Sequence, residues 1–376
     1  MKRSDAHWGA SKVVCLDIGS SGLRAAQFSL RSTPVGGKAC RLDRYAAVPL
    51  PDGAVAGGVV MDPAAVGKAL RALWSAGRFS TKRVVFGLAN DRVLVRQLDL
   101  DWMEPADFRQ ALSYAVADQI PMSVDDANLD YHVLEDIPAG PDLDSERMLR
   151  ILLVAAATEM VDTFLTALAE ADLTPVKAEL TPFALIRAAS PSPSPSPEGE
   201  AEQGSAEAIV DIGADTLTVV VHAAGQPRFV RTVGQLGGRA ITGELQQKFG
   251  WSFEEAETAK AQYGLPRQRA AGDDLVGLEH PAQQAIEERV AGVVAEVRTT
   301  LNFFLSAGAG VQTLSRILLT GGGSRLNGLD ERIAEAMDTE VVTLTPPREV
   351  RSRLSAVADD DLGAVALLSG LALGVM

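Results

Sequence analysis

One short element occurs twice in this chain, and it constrains the fold more than any other feature. Residues 14 to 28 read VCLDIGSSGLRAAQF, and residues 210 to 222 read VDIGADTLTVVVH. In each copy an Asp stands where an apolar strand runs into a Gly-containing turn, and a second strand follows. A chain that builds this element once in each half is expected to consist of two related units.

A linker separates the two copies. Residues 190 to 205 read SPSPSPSPEGEAEQGS, which offers no large apolar side chain and resists helix formation. The chain has 376 residues, enough for two hydrophobic cores. We therefore predict a first lobe over 1–189, a linker over 190–205 and a second lobe over 206–376.

Strands and helices alternate along both halves, which predicts an α/β fold. In the first half the patterns predict strands at 83–88, 129–136 and 147–157 and helices at 63–76, 101–119 and 158–172. In the second half they predict a β-hairpin or meander that turns at 224–226, helices at 237–249, 252–262 and 281–306, a strand at 317–319 and a helix from 329.

Composition excludes several classes of function. A net charge of −14 argues against a nucleic-acid partner. The two cysteines and four histidines form no disulfide framework and no metal-ligand spacing, so a reducing compartment is expected. The apolar run over 362–376 is too short to span a bilayer and predicts a helix packed on a sheet. These features predict a cytoplasmic protein without a membrane segment.

The repeated turns suit phosphate groups. Gly19 leaves room for a phosphate, and the amides and hydroxyls of Ser20 and Ser21 can donate to it. Asp17 and Asp211 would repel phosphates directly but can bind them through Mg²⁺ or its water shell. Two such turns, the second with Gly213, would clamp a triphosphate from both sides.

Two further segments could complete a nucleotide site. Gly321, Gly322 and Gly323 follow a buried strand and could let a ribose or flat ring lie against the backbone, or simply form a turn. Glu257 and Lys260 lie three residues apart on one helical face, where they could bracket a ribose or purine or form an exposed ion pair.

Taken together, these motifs resemble the actin, sugar-kinase and Hsp70 ATPase superfamily over nearly the whole chain. Within it the sequence is most similar to the PilM family of type IV pilus assembly proteins, relatives of the cell-division actin FtsA. The resemblance is carried by the segments DIGSSGLRAAQ, LDWMEPADFRQALSYAVADQIPMSVDDANLDYHVLED, TPVKAELTPFALIRA and LLTGGGSRLNGL. The second segment is the most specific, since kinases and Hsp70 lack a counterpart of this insertion.

The resemblance implies an actin-like (ribonuclease H-like) fold of two lobes around a cleft for ATP and Mg²⁺. It implies an inserted α+β subdomain at about 84–172 in the first lobe and a helical subdomain at about 237–308 in the second. By motif, the nucleotide-binding residues would be Asp17, Gly19, Ser20, Ser21, Asp211, Gly213, Gly237, Gly238, Glu257, Lys260, Gly321, Gly322 and Gly323. Asp17 and Asp211 would also hold the metal and act in catalysis.

One departure from the family bears on hydrolysis. Relatives often carry an acidic residue directly before the segment that matches Pro182-Phe183-Ala184, but this chain has Thr181 there. Glu179, two residues earlier, is the nearest catalytic candidate. The resemblance therefore leaves open whether ATP is hydrolysed slowly or not at all.

The resemblance also implies partners. A PilM-like protein would use its inserted subdomain and first lobe to bind the cytoplasmic N-terminal tail of the inner-membrane protein PilN, without entering the membrane itself. It would couple nucleotide state to pilus assembly and could meet other assembly components or copies of itself. Two alternatives remain: a small-molecule kinase of the same superfamily, and an FtsA-like polymer on the membrane.

Overall fold

The structure is a computed structural model, and it describes residues 12–32, 38–139, 146–189, 205–265, 281–306, 311, 313–347, 350 and 357–375. The predicted linker lies outside these residues except for Ser205, which begins a strand.

The described residues of the first half form ten strands and four α-helices. The strands are β1 (Lys12–Gly19), β2 (Gly22–Ser32), β3 (Lys38–Pro49), β4 (Val55–Ala56), β5 (Val59–Val60), β6 (Arg83–Leu88), β7 (Val93–Asp101), β8 (Ala127–Ile137), β9 (Met148–Ala157) and β10 (Thr174–Leu180). The helices are α1 (Pro63–Gly77), α2 (Pro105–Ala115), α3 (Thr158–Glu170) and α4 (Thr181–Ala189).

Among the described residues, five strands and five helices form the second half. The strands are β11 (Ser205–Ile212), β12 (Thr216–Ala223), β13 (Gln226–Gly234), β14 (Thr313–Thr320) and β15 (Val341–Thr343). The helices are α5 (Gly238–Phe249), α6 (Phe253–Tyr263), α7 (Pro281–Ser306), α8 (Leu329–Met337) and α9 (Leu362–Leu373).

The two halves repeat one sheet topology. The first sheet has the order β3-β2-β1-β6-β10, and the second has the order β13-β12-β11-β14-β15. In each sheet the first three strands in sequence form an antiparallel meander, and the last two lie parallel to the first strand. The duplication predicted from the repeated motif is therefore confirmed at the level of strand order.

Local sequence signals set several helix ends. Ser252 and Glu255 form the predicted capping box at the start of α6, each side chain bonding the other residue's amide. Pro63 and Pro105 stand in the first turns of α1 and α2, where a missing N–H costs nothing. Helix α2 ends at Ala115, earlier than predicted, and the chain then turns toward Pro121.

The inserted subdomain is a three-stranded antiparallel sheet of order β7-β9-β8, covered by α2. Phe108, Leu112 and Val116, the predicted apolar stripe, are buried in one core with Ile151 and Leu153. This unit occupies residues 93 to 157. The wider limits of 84 and 172 expected from the sequence also take in β6, which belongs to the first sheet, and α3, which packs against α1.

One hydrophobic core, called the interlobe core below, joins the two lobes. It contains α4 and α9 together with residues from both sheets, among them Cys15 and Phe28 from the first and Ile209 and Val220 from the second. Helix α9 follows the second lobe in sequence but packs on β1, β2, β3 and α4 of the first lobe. The predicted helix over 362–376 thus packs on a sheet, as expected. Across the described ranges, no helix combines the length and apolar character needed to cross a membrane.

Candidate functional site

The two repeated aspartates meet in the cleft. Asp17 stands near the end of β1 and Asp211 near the end of β11. Burial, and then the nearby charge of Asp17, raise the pKa of Asp211 to about 7. Burial also raises the pKa of Asp17, although Arg24, with Nη1 3.8 Å from Asp17 Oδ2, opposes the rise. The two carboxyl groups therefore repel each other in a poorly solvated space.

That repulsion is what a divalent cation would relieve. Mg²⁺ commonly binds through one or two carboxylates, several waters and phosphate oxygens, so a cluster of three protein ligands is not required. In the described part of the chain no group of three or more His, Cys, Asp or Glu residues could hold a metal by itself. Asp17 and Asp211 thus fit a magnesium ion that arrives with a nucleotide.

The glycine loop after β14 lies directly against Asp211. Gly321 has a φ of +88° and a ψ of 162°, a conformation that essentially only glycine adopts. A Cβ built on Gly321 would lie 2.3 Å from both Asp211 Oδ1 and the Ile212 carbonyl oxygen. A turn of 3-10 helix, Gly322–Arg325, follows and brings Gly323 beside Gly213 and Gly238. The glycine loop therefore lies beside Asp211, and its part in nucleotide binding stays a prediction.

The start of α5 rests on the turn between β11 and β12, residues 213–215, which is the predicted second phosphate loop. Gly238 N donates to the Gly213 carbonyl at 2.9 Å, and Arg239 N donates to the Ala214 carbonyl at 2.7 Å. Gly237, the residue before the helix, continues this contact in an extended conformation. The first amides of α5 are therefore occupied by the loop and hold its shape.

Glu257 and Lys260 attach α6 to the same region. Lys260 Nζ donates to Glu257 Oε1 at 2.5 Å, to Thr242 Oγ1 at 2.8 Å and to the Gly238 carbonyl at 3.3 Å. The Lys260 side chain is 17% exposed, so the pair differs from the freely solvated ion pair that was the alternative. It joins α6 to α5 beside the glycine loop.

The predicted first phosphate loop, residues 19–22, is a tight turn between β1 and β2, in which Gly19 pairs with Gly22. Ser20 is buried and its carbonyl accepts a hydrogen bond from the second lobe, whereas Ser21 is exposed. The structure therefore places every predicted nucleotide residue on one of five segments that lie together around Asp17 and Asp211.

Glu179 is not brought into this group. It lies on β10, two strands away from Asp17, with Gly87 of β6 between them. Its carboxylate is nearly buried and pairs with Arg187 Nη2 at 2.6 Å and Lys177 Nζ at 3.4 Å. A role in hydrolysis for this residue stays a prediction. In this conformation its carboxylate is engaged in ion pairs with Arg187 and Lys177.

Sequence reasoning missed three residues of the cleft, namely Arg24, Asp215 and Arg239. Arg24 stands opposite Asp17 in the β1–β2 register and also lies 3.7 Å from Asp361. A two-residue turn at Ser20-Ser21 fixes that pairing, so Arg24 could have been found from the hairpin register. Asp215 and Arg239 contact the first lobe, a relation that no local pattern reveals.

A second concavity lies away from the cleft around Asp17 and Asp211. A groove of about 1010 Å³ runs between the inserted subdomain, the start of α3 and the second lobe. Two edge strands, β7 and β13, border it, and Phe303 lies in its wall. The Phe303 ring is 60% exposed and faces Phe229 at a centroid distance of 6.4 Å.

Comparison with known proteins places this geometry in context. A family model described as "Type IV pilus assembly protein PilM" matches residues 15–375. A solved structure titled "PilM-PilN type IV pilus biogenesis complex" superposes with a TM-score of 0.77 at 24% identity, covering 96% of this chain and 98% of that one. The fold is therefore actin-like, as predicted.

Two curated relatives match part of the chain. Cell division protein FtsA from Agrobacterium fabrum and FtsA from Rhizobium radiobacter are each 28% identical over 251 residues. The match covers 61% of this chain and 54% of each relative, so the chain spans about half the length of the curated relatives it matches.

Proposed function

The chain belongs to the PilM family of type IV pilus assembly proteins, and from that premise we propose that it is an ATP-binding scaffold of the pilus inner-membrane assembly platform. It takes up ATP with Mg²⁺ in the cleft and binds the cytoplasmic N-terminal tail of PilN. Through PilN it is held at the inner membrane from the cytoplasmic side. Nucleotide occupancy fixes the angle between the lobes and thereby changes the surface offered to the tail.

The observation that carries the nucleotide part is the meeting of Asp17 and Asp211 beside the glycine loop. Two half-buried carboxyl groups stand together here, and the charge of Asp17 adds to the effect of burial in raising the pKa of Asp211. Such a pair costs stability, and such clusters are typical of functional sites. A magnesium triphosphate offers the cation that this pair lacks. The amides and hydroxyls of the first phosphate loop supply donors for its phosphates.

The groove of about 1010 Å³ supports the partner part. Its wall combines apolar side chains with four carboxylates, on Asp91, Asp126, Glu159 and Asp162, against two guanidinium groups. One of these, on Arg231, is already paired with Glu296 at 2.9 Å. A tail that brings apolar and basic side chains in an extended form would complement this wall, and the edges of β7 and β13 offer backbone groups to it.

The nucleotide proposal is tested by titrating fluorescent ATP with Mg²⁺ into three proteins. Asp17→Ala should bind at least about tenfold more weakly than the wild type, since a metal-linked carboxylate is lost. Cys15→Ser, two residues away in the interlobe core, serves as the control and should bind like the wild type. Equal affinity for all three proteins would refute the site.

The partner proposal is tested by calorimetry with a synthetic PilN tail. Phe303→Arg places a charge in the groove and should abolish tail binding while leaving ATP affinity unchanged. Phe253→Arg, at another exposed ring outside the groove lining, is the matched control. Unchanged tail binding to Phe303→Arg would place the tail elsewhere.

The similarity to FtsA favours one second candidate, a nucleotide-dependent polymer. The apolar C-terminal helix does not act as a membrane anchor in this conformation, because residues Val365 to Ala372 are buried in the interlobe core. Sedimentation with ATP and Mg²⁺ separates the candidates, since a polymer pellets without PilN.

A further inference from the structure

Arg239, the second residue of α5, reaches from the second lobe to the first. Its Nη2 donates to the Ser20 carbonyl of the first phosphate loop at 3.1 Å. Its Nη1 lies 3.3 Å from Asp52 Oδ1 in the first lobe and 3.6 Å from Asp215 Oδ1 in its own lobe. One guanidinium thus touches three segments around the mouth of the cleft.

Asp215 makes a second contact that crosses from the second lobe to the first. It belongs to the second phosphate loop, and its side chain is 14% exposed. Its Oδ2 accepts a hydrogen bond at 3.1 Å from the amide of Gly57, in the hairpin of β4 and β5 on the first lobe. Arg239 and Asp215 therefore align each other within the second lobe, and each also bonds the backbone of the first.

The two crossing bonds matter more than the ion pair with Asp52. The Asp52 side chain is 86% exposed, and an ion pair to such a group contributes little in water. The bonds to the Ser20 carbonyl and the Gly57 amide are more sheltered and have fixed backbone partners. They bind the lobes at the phosphate loops, whereas α4 and α9 join them through the apolar core.

We propose that Arg239 and Asp215 form a clasp that holds the cleft closed at the phosphate loops and controls its opening for nucleotide exchange. Arg239 is a positioning residue in this scheme, since it acts on Ser20 and the lobe angle. Breaking the clasp frees the first phosphate loop from the second lobe and lets the lobes separate about their common core. The part that concerns nucleotide exchange rests on the proposed function, whereas the closure itself does not.

The closure is tested without nucleotide on the full chain by double electron–electron resonance, which measures the distribution of distances between two spin labels. Labels go on Lys68→Cys in α1 and Gln262→Cys in α6, which are exposed positions on different lobes, while the native Cys15 and Cys40 are buried. Arg239→Ala and Asp215→Ala should each shift the distance distribution to longer values or broaden it. The double variant should add little, because the two residues act as one unit.

Two further variants keep the result decisive. Lys248→Ala removes an ion pair inside the second lobe, with Glu288, and should leave the distance unchanged. Arg239→Gln keeps one donor and a similar length, and it replaces Arg239→Ala if that protein fails to fold. A distribution identical to the wild type in both folded clasp variants overturns the proposal.

The second readout is the release of a fluorescent ATP analogue in stopped flow. Loss of a crossing hydrogen bond should speed release by about tenfold. Faster release without a change in ligand-free distance would make Arg239 a direct phosphate contact and overturn the clasp. A changed distance with no nucleotide binding to any protein would support the clasp and refute the proposed function.

Discussion

At the scale of single residues, the cleft is a place where like charges are held together at a cost. The pKa of Asp211 rises from 3.8 to about 7 because its carboxyl group is buried and faces Asp17. A protein that keeps such a pair destabilises its ligand-free state, which a magnesium triphosphate would then stabilise. Under the proposed function, the same residues link stability, pH and nucleotide occupancy.

Asp211→Asn should make the ligand-free protein more stable at high pH. The folded protein holds the Asp211 proton more tightly than the unfolded chain does. The favourable contribution of this proton is therefore complete below about pH 4 and is lost as the pH rises through about 7. The Asn variant removes this loss, on the order of a few kcal/mol, and should bind ATP more weakly. Thermal melts of the variant and the wild type from pH 4 to pH 8 measure the difference in stability.

The exposed Asp118→Asn provides the matched control for those melts. Its profile should follow that of the wild type. If Asp211→Asn melts below the wild type at pH 8 in the absence of nucleotide, the two carboxyl groups do not face each other.

Gly321→Ala and Gly322→Ala separate two neighbouring glycines. Alanine at Gly321 meets both a glycine-only backbone conformation and Asp211 Oδ1 at 2.3 Å, so a loss of about 1–3 kcal/mol is expected together with weaker ATP binding. Gly322 has open space around its Cβ position and should tolerate alanine. Urea unfolding and ATP titration of both variants check this, and equal effects would contradict the loop geometry.

At the scale of elements, the contact between α4 and α9 decides how the lobes are joined. Gly370 of α9 crosses α4 so closely that a Cβ would lie 1.9 Å from the Ala184 carbonyl oxygen. Both helices take part in the core between the two sheets. A short apolar helix at the C-terminal end of the sequence thus binds the two lobes together.

Gly370→Ala should therefore destabilise the protein by about 1–3 kcal/mol, because the helices must move apart. Gly292→Ala in α7 is the control, because its Cβ position has no neighbour within 4 Å. Since alanine is more favourable than glycine in a helix interior, this variant should gain up to about 1 kcal/mol in the free energy of unfolding. Denaturant unfolding compares the two variants. A stable Gly370→Ala protein would show that the crossing is loose.

At the scale of the whole molecule, the proposed nucleotide cleft and the groove at the inserted subdomain are separate places on the same two lobes. The second lobe supplies Asp211 to the cleft and β13 to the groove. A change of lobe angle therefore acts on both sites. This arrangement is what coupling between ATP and a bound tail requires.

If the sites are coupled, the coupling must be reciprocal. The factor by which ATP with Mg²⁺ changes tail affinity should equal the factor by which the tail changes ATP affinity, and we expect about fivefold or more. Calorimetry in both orders measures the two factors. Asp17→Ala should remove the effect of ATP on the tail while leaving tail binding itself intact, and a factor of one in both orders would mean that the sites are independent.

The sequence by itself determined the elements that depend on local pattern. The repeated Asp-Ile-Gly motif predicted the duplicated unit, Ser252 and Glu255 predicted the start of α6, and the spacing of Phe108, Leu112 and Val116 predicted the buried face of α2. These features depend on neighbours a few residues apart, so their physical cause is contained in a short segment. The strands β7 and β10 were missed because their side chains are mostly exposed or half-buried, without a continuous apolar run.

Only the tertiary structure decided how distant segments meet. It paired Asp215 with the Gly57 amide and Arg239 with the Ser20 carbonyl, across 158 and 219 residues of chain. It also paired the Glu179 carboxylate with Arg187 and packed α9 against the first lobe. Such contacts follow from the packing of whole sheets and helices, because the energy of an interlobe bond depends on a geometry that no single segment contains.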